Sequence, residues 1–221
     1  MLEYRCGLPT APNKQREVIG NALHRQLAEE RGESTPYKIQ QSLYRGVWSA
    51  DLVRDELRKY VARRIGEPGG VLVVDETGFL RQGKKSAGVR WQYSETAGRV
   101  ENCQIGVFLT YASEKGYIMI DRELYLPKEW LEDKERCAGA GIPSDKEFRT
   151  KPEMALDMIR AAHDSDLPFT WATGDCIYGG YRDIRMYLES IGKQHVMAVF
   201  GKENLWIRFR QHRILESLPE D

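Results

Sequence analysis

Val71-Leu72-Val73-Val74-Asp75 and Pro168-Phe169-Thr170-Trp171-Ala172-Thr173-Gly174-Asp175 are two apolar stretches that each run into an aspartate. A run of Val and Leu with no polar alternation reads as a strand buried on both faces, in the middle of a helix-covered sheet. The charge at its exit has to be explained, because a lone carboxylate removed from water needs a partner, a proton or a cation. Two such strands, each ending in an aspartate, point to a cation held between them.

Upstream, Gly66-Glu67-Pro68-Gly69-Gly70 breaks a helical pattern that extends from Asn13 to Ile65. Val18, Ile19, Leu23 and Leu27, then Ile39, Leu43 and Val47, then Leu52, Val53, Leu57, Tyr60 and Val61 fall at helical spacing and predict three short helices. Thr35-Pro36 and Ser49-Ala50-Asp51 are the expected helix starts. The domain boundary is placed at this break, with a helical amino-terminal region over residues 1–66 and a sheet domain over 67–221.

Downstream of Asp75, Arg81-Gln82-Gly83-Lys84-Lys85-Ser86-Ala87-Gly88 reads as an exposed loop. Strands are expected over Val100 to Tyr111 and Tyr117 to Leu126, joined by the turn Ala112 to Gly116. A charged, partly helical stretch lies between Pro127 and Lys151, and Pro152 to His163 is helical. After the strand ending at Asp175 come a helix over Tyr181 to Ile191, a strand over Gln194 to Phe200 and a further strand over Leu205 to Arg213. A meander followed by α-β-α-β units gives an α/β fold with a mixed sheet flanked by helices, in the strand order of the ribonuclease H-like fold. Right-handed crossovers place the first and fourth strands side by side. Asp75 and Asp175 then face each other.

Composition narrows the function classes. The 221 residues are 41% hydrophobic and 30% charged with a formal net charge of zero, which suits a globular domain and excludes a polycationic binder. Any nucleic-acid surface is therefore local, and Lys plus Arg outnumber Asp plus Glu 12 to 8 over residues 1–66 but trail 15 to 19 over 119–221. Cys6, Cys103, Cys137 and Cys176 form no CxxC or zinc spacing and read as reduced thiols. No apolar run approaches the roughly 18–20 residues of a membrane span, and the first residues carry no signal-peptide core.

Paired carboxylates at the ends of neighbouring strands suit Mg²⁺ or Mn²⁺, which prefer oxygen ligands. Two such ions can activate a nucleophile and stabilise the leaving oxygen in phosphodiester cleavage. Either aspartate alone is explained as a cap; their joint placement favours the metal. Asp75-Glu76-Thr77-Gly78 lacks the second acid of an aspartyl phosphotransferase loop, and neither GxxxxGK[ST] nor GxGxxG is present. His24, His163, His195 and His212 form no ligand pair at short spacing. Arg81, Lys84, Lys85 and Arg90, followed by Trp91 and Tyr93, offer phosphate contacts and stacking surfaces for DNA.

The segments VLVVDETGFLRQGKKSAGVRWQYSETAGRVENCQIGVFLTYAS from Val71, IDRELYLPKEW from Ile120 and FTWATGDCIYG from Phe169 resemble the DDE transposases of bacterial insertion sequences, the group numbered 701 and the related DDE superfamily endonucleases. The resemblance runs from about Leu43 to the carboxyl terminus. It implies that Asp75 and Asp175 are the first two acids of a catalytic triad and hold the two Mg²⁺ or Mn²⁺ ions of a complete enzyme. It further implies that the partner is double-stranded DNA, at element ends and target, and that the protein is cytoplasmic and nucleoid-associated. Cys176 stands where relatives carry an acidic or polar residue. The third acid of such enzymes, a glutamate on a later helix, has no counterpart in motif context, since Glu189, Glu203 and Glu216 read as surface charges. The expectation is a transposase truncated at its carboxyl end, inactive alone and with apolar surface that favours self-association. The alternatives are a non-catalytic DNA-binding or oligomerising fragment that regulates a full-length transposase, and an unrelated hydrolase that shares only the sheet order.

Overall fold

The computed structural model describes residues 25, 28–47, 49–207 and 210–213. The expected helix through Val18, Ile19 and Leu23, together with Leu27, lies outside them, as do Cys6, His24 and Glu216. The chain divides into two compact units, Met1–Val53 and Arg54–Asp221. The first contains helix α1 (Tyr37–Arg45) and the opening turn of α2 (Ala50–Arg64), where Ser49 Oγ accepts the Leu52 N–H at 3.3 Å. That is the capping expected from Ser49-Ala50-Asp51.

The second unit holds most of α2 and a six-stranded sheet. Its strands are β1 (Val71–Leu80), β2 (Arg90–Ser94), β3 (Arg99–Ser113), β4 (Gly116–Tyr125), β5 (Trp171–Gly174) and β6 (Gln194–Met197). The order is β2-β3-β1-β5-β6, with β4 also paired to β3. β3 runs antiparallel to β1, while β5 and β6 run parallel to it. Helices α3 (Lys128–Glu132), α4 (Lys134–Gly139), α5 (Lys151–Asp164), α6 (Cys176–Gly179) and α7 (Arg182–Ser190) complete the sheet's surroundings, and a hairpin β7 (Asn204–Ile207) and β8 (Arg210–Arg213) follows. The fold is ribonuclease H-like: a meander, then two parallel strands brought back beside β1 by helical crossovers.

Leu72 and Val74 of β1, Val107, Leu109 and Tyr111 of β3, Met154, Met158 and Ile159 of α5, Ile184 and Leu188 of α7 and Val61 of α2 form one buried cluster. Val89, Leu126, Trp130, Cys137 and Ile142 form a smaller one beneath α3 and α4. The sequence break at Gly66–Gly70 falls inside the second unit because α2 packs with the sheet: Val61 is buried, and Arg58 pairs with Asp121 of β4, both side chains nearly inaccessible. The break itself has a packing cause. A Cβ on Gly70 would overlap the Tyr111 ring, whose hydroxyl accepts the Glu67 N–H at 2.8 Å and lies 2.9 Å from the Pro168 carbonyl.

Two expectations change, and one strand is added. β1 does not end at Asp75 but continues to Leu80, because the 15-residue β3 keeps pairing with it as far as Cys103. β1 is not buried equally on both faces: Leu72 and Val74 are buried, whereas Val71 and Val73 are half-buried and Asp75 is exposed. Arg90 to Ser94, to which the sequence assigned no element, is a strand, and it extends the β3 ladder from Cys103 to Arg99. The remaining helices and strands lie within a few residues of the expected ranges, with Leu205 to Arg213 resolved into the β7–β8 hairpin.

Candidate active site

β1 and β5 pair in parallel up to Val74 opposite Gly174, and the next residue on each chain is an aspartate. Asp175 keeps an extended backbone, φ −72° and ψ −174°, so it continues the line of β5 before the chain turns into α6. Neighbouring strands are about 4.8 Å apart, which sets the two aspartates side by side.

Each carboxylate is held by backbone amides through one oxygen. Asp75 Oδ1 accepts the Glu76 N–H at 2.7 Å. Asp175 Oδ1 accepts the Ile177 N–H at 2.9 Å and the Tyr178 N–H at 3.4 Å, capping α6. The second oxygen of each has no protein partner among the described residues. Asp175 is thus a helix cap and at the same time a carboxylate with an oxygen to spare.

Alternation along β1 sends Glu76 to the opposite, core face, where it is buried. Its carboxylate accepts from Lys151 Nζ, at the first position of α5, and from the Tyr178 hydroxyl at 3.2 Å. Glu76 is therefore charge-paired rather than open to an ion. Burial pushes the Tyr178 hydroxyl far above the ordinary tyrosine range, and the negative charges of Glu76 and Asp175 push it further. Tyr178 stays protonated and remains a donor.

Of the three glutamates weighed as a third acid, Glu189 is exposed at the end of α7. The Glu203 carboxylate lies near Gly180, 3.7 Å from where a Cβ there would stand. Glu216 is outside the described residues. Among the described residues no three His, Cys, Asp or Glu side chains gather into a group able to hold a metal. Two carboxylates with free oxygens fit a hard divalent cation that keeps several waters.

The four basic residues expected at DNA have different surroundings. Lys84 and Lys85 are exposed in the loop after β1. Arg81 is half-buried and its guanidinium donates to the Gln104 side chain. Arg90 pairs with both Glu129 oxygens at 2.8 Å. A pocket lined by Lys84, Arg90, Trp91, Asn102 and Arg136 collects this charge around an aromatic ring. Arg136 was not expected there. It stacks 3.7 Å over Trp130 and donates to the Lys84 and Val89 carbonyls at 2.9 and 3.2 Å, which fixes the base of the loop.

The register places Trp91 opposite Asn102 and Tyr93 opposite Val100, on the same face of the sheet as Phe108 and Asp75. Trp91 and Tyr93 are more than half exposed. Sequence reasoning missed the Glu76, Lys151 and Tyr178 group. Its only sequence signals were a second acid directly after Asp75, which a strand must point the other way, and a tyrosine three residues after a helix-capping aspartate.

No helix among the described residues is long and apolar enough to cross a membrane. The family described as DDE superfamily endonuclease matches the chain over residues 19–214. A curated relative, the probable transposase for insertion sequence element IS701 of Microchaete diplosiphon, is 27% identical over 143 residues, 64% of this chain and 35% of that protein. The chain therefore spans about a third of the length of that relative. No solved structure matches it.

Proposed function

The chain belongs to the DDE superfamily endonuclease family, and on that footing we propose that it is a transposase, or part of one, that cuts and joins DNA with divalent metal held by Asp75 and Asp175. The observation that carries this reading is the parallel register of Val74 with Gly174, which brings the two aspartates to adjacent positions with one free oxygen each. Bound Mg²⁺ or Mn²⁺ supplies Lewis acidity toward the attacking and leaving oxygens of a phosphodiester. The protein's own part is to present two anionic oxygens, fixed by backbone amides, on the open face of the sheet. A two-ion site needs further ligands than these two residues provide.

DNA is the partner that the family implies, and the surface around Asp75 suits it. Lys84 and Lys85 reach solvent beside the pocket that Arg136 and Trp91 line, and Trp91 and Tyr93 share the face of Asp75. From Phe108, opposite Asp75, to Asn102, opposite Trp91, β3 advances six residues, about 20 Å at strand rise. A DNA strand passing from Asp75 to the aromatic pair covers several nucleotides, with bases stacked on the rings and phosphates on the lysines.

The test is nicking of supercoiled DNA in Mn²⁺ by the 221-residue chain, with DNA binding measured in parallel. Nicking that Asp75→Asn abolishes, with binding intact and weakened by the Lys84→Ala/Lys85→Ala pair, supports the reading. Nicking that persists in Asp75→Asn/Asp175→Asn contradicts it. Salt-sensitive binding without nicking favours a DNA-binding regulator of a longer transposase, a reading supported by the lack of a third metal-holding side chain among the described residues.

A further inference from the structure

We propose that the hydrogen bond between Glu76 and Tyr178 is a clamp that fixes the spacing of Asp75 and Asp175, so that both are positioning residues for the metal site. This inference rests on the assignment of Asp75 and Asp175 as metal ligands. Asp75 and Asp175 are held by the amides of the residues that clamp each other. The Glu76 N–H binds the Asp75 carboxylate at 2.7 Å, and the Tyr178 N–H binds the Asp175 carboxylate at 3.4 Å. On the opposite side of the backbone, the Glu76 side chain accepts from the Tyr178 hydroxyl at 3.2 Å. The two backbone segments that carry the aspartates are thereby tied through the core, at the point where β5 has ended and no ladder bond can do so.

The clamp is built for rigidity. Tyr178 is fully buried in the main core cluster, and Glu76 is nearly so. Lys151 neutralises the second Glu76 oxygen and anchors it to the first turn of α5, whose start is fixed by a capping box between Thr150 and Glu153. Gly179 completes the arrangement: a Cβ there would overlap the Ala198 carbonyl, so only glycine lets α6 sit this close to the end of β6. Side chains that orient metal ligands commonly matter 10- to 100-fold in metal affinity although they never touch the ion.

The experiment measures Mn²⁺ affinity by water-proton relaxation in the unsubstituted chain, Tyr178→Phe, Glu76→Gln and the double variant, with Asp75→Asn/Asp175→Asn as the reference for loss of the site. Circular dichroism and thermal melts confirm that each variant is folded at the assay temperature. Tyr178→Phe removes one hydroxyl and keeps the ring in the core, so it separates the clamp from packing. The clamp predicts affinity about 10-fold weaker or more in Tyr178→Phe, and a loss in the double variant smaller than the product of the two single losses, because the two residues share the bond, although Glu76→Gln also loosens the Lys151 pair. Unchanged affinity in folded Tyr178→Phe, with the Asp pair still required, overturns the clamp and leaves the metal site standing. Mn²⁺ binding that ignores the Asp pair overturns both.

Discussion

Asp75 and Glu76 are adjacent acids with opposite surroundings, and strand alternation is the whole reason. Asp75 meets solvent and one backbone amide, whereas Glu76 meets Lys151 and Tyr178 in the interior. The position of Asp75 could be read from the apolar run before it. The role of Glu76 could not, because its partners stand 75 and 102 residues further along the chain. Tyr178 carries a pH signature of its own. Its folded-state pKa is raised, by burial first and by Glu76 next, above the unfolded value of about 10. A group raised in the folded state contributes stability below its unfolded pKa and loses it as pH rises beyond that value. Chemical denaturation between pH 8 and 11 should therefore show the chain weakening above about pH 10, and Tyr178→Phe should lose less stability over that interval than the unsubstituted chain. An equal alkaline loss in both would show that Tyr178 does not titrate between the two states.

At the scale of elements, β1 was readable from its unbroken apolar run, and β3 and α5 because their apolar residues follow the period of their structure, two for a strand and 3.6 for a helix. β2 was not, since its alternation is inverted: Trp91 and Tyr93 are exposed while Ser94 is buried. A strand whose aromatic side chains face outward looks like part of a loop. The reach of β1 past Asp75 was hidden for another reason, since it depends on the length of β3 and not on β1's own composition. The apolar spacing of α2 already suited packing against the sheet domain, and Val61 does join the core; the charge pair that accompanies it was not legible. Asp121 of β4 binds Arg58 of α2, with both side chains about 5% exposed, and also faces Arg54 at 3.7 Å and Arg122 at 3.8 Å. Removing one member of a buried pair strands the other. Asp121→Ala should cost about 3–5 kcal/mol in urea denaturation, and the cost should shrink when Arg58→Met is introduced with it. A loss below 1 kcal/mol, on the order of a surface pair, would show that the pair does not hold α2.

At the scale of the molecule, the strand order was legible because few connections are allowed: a meander followed by two helical crossovers leaves little choice of neighbour for β1. The juxtaposition of Asp75 and Asp175 follows from that order, and the register Val74 to Gly174 supplies it at residue resolution. What the sequence did not show is how one carboxylate, Glu76, joins β1, α5 and α6 behind the site. A chain of zero net charge has to concentrate any affinity for DNA in a local patch, and the patch proposed for it is the loop with Lys84 and Lys85 beside Trp91. The central claim is that two neighbouring aspartates hold a divalent ion, and calorimetric titration of Mn²⁺ into the chain and into Asp75→Asn/Asp175→Asn tests it most directly. Saturable binding in the unsubstituted chain that is lost in the double variant is the predicted result; equal binding in the two would contradict it.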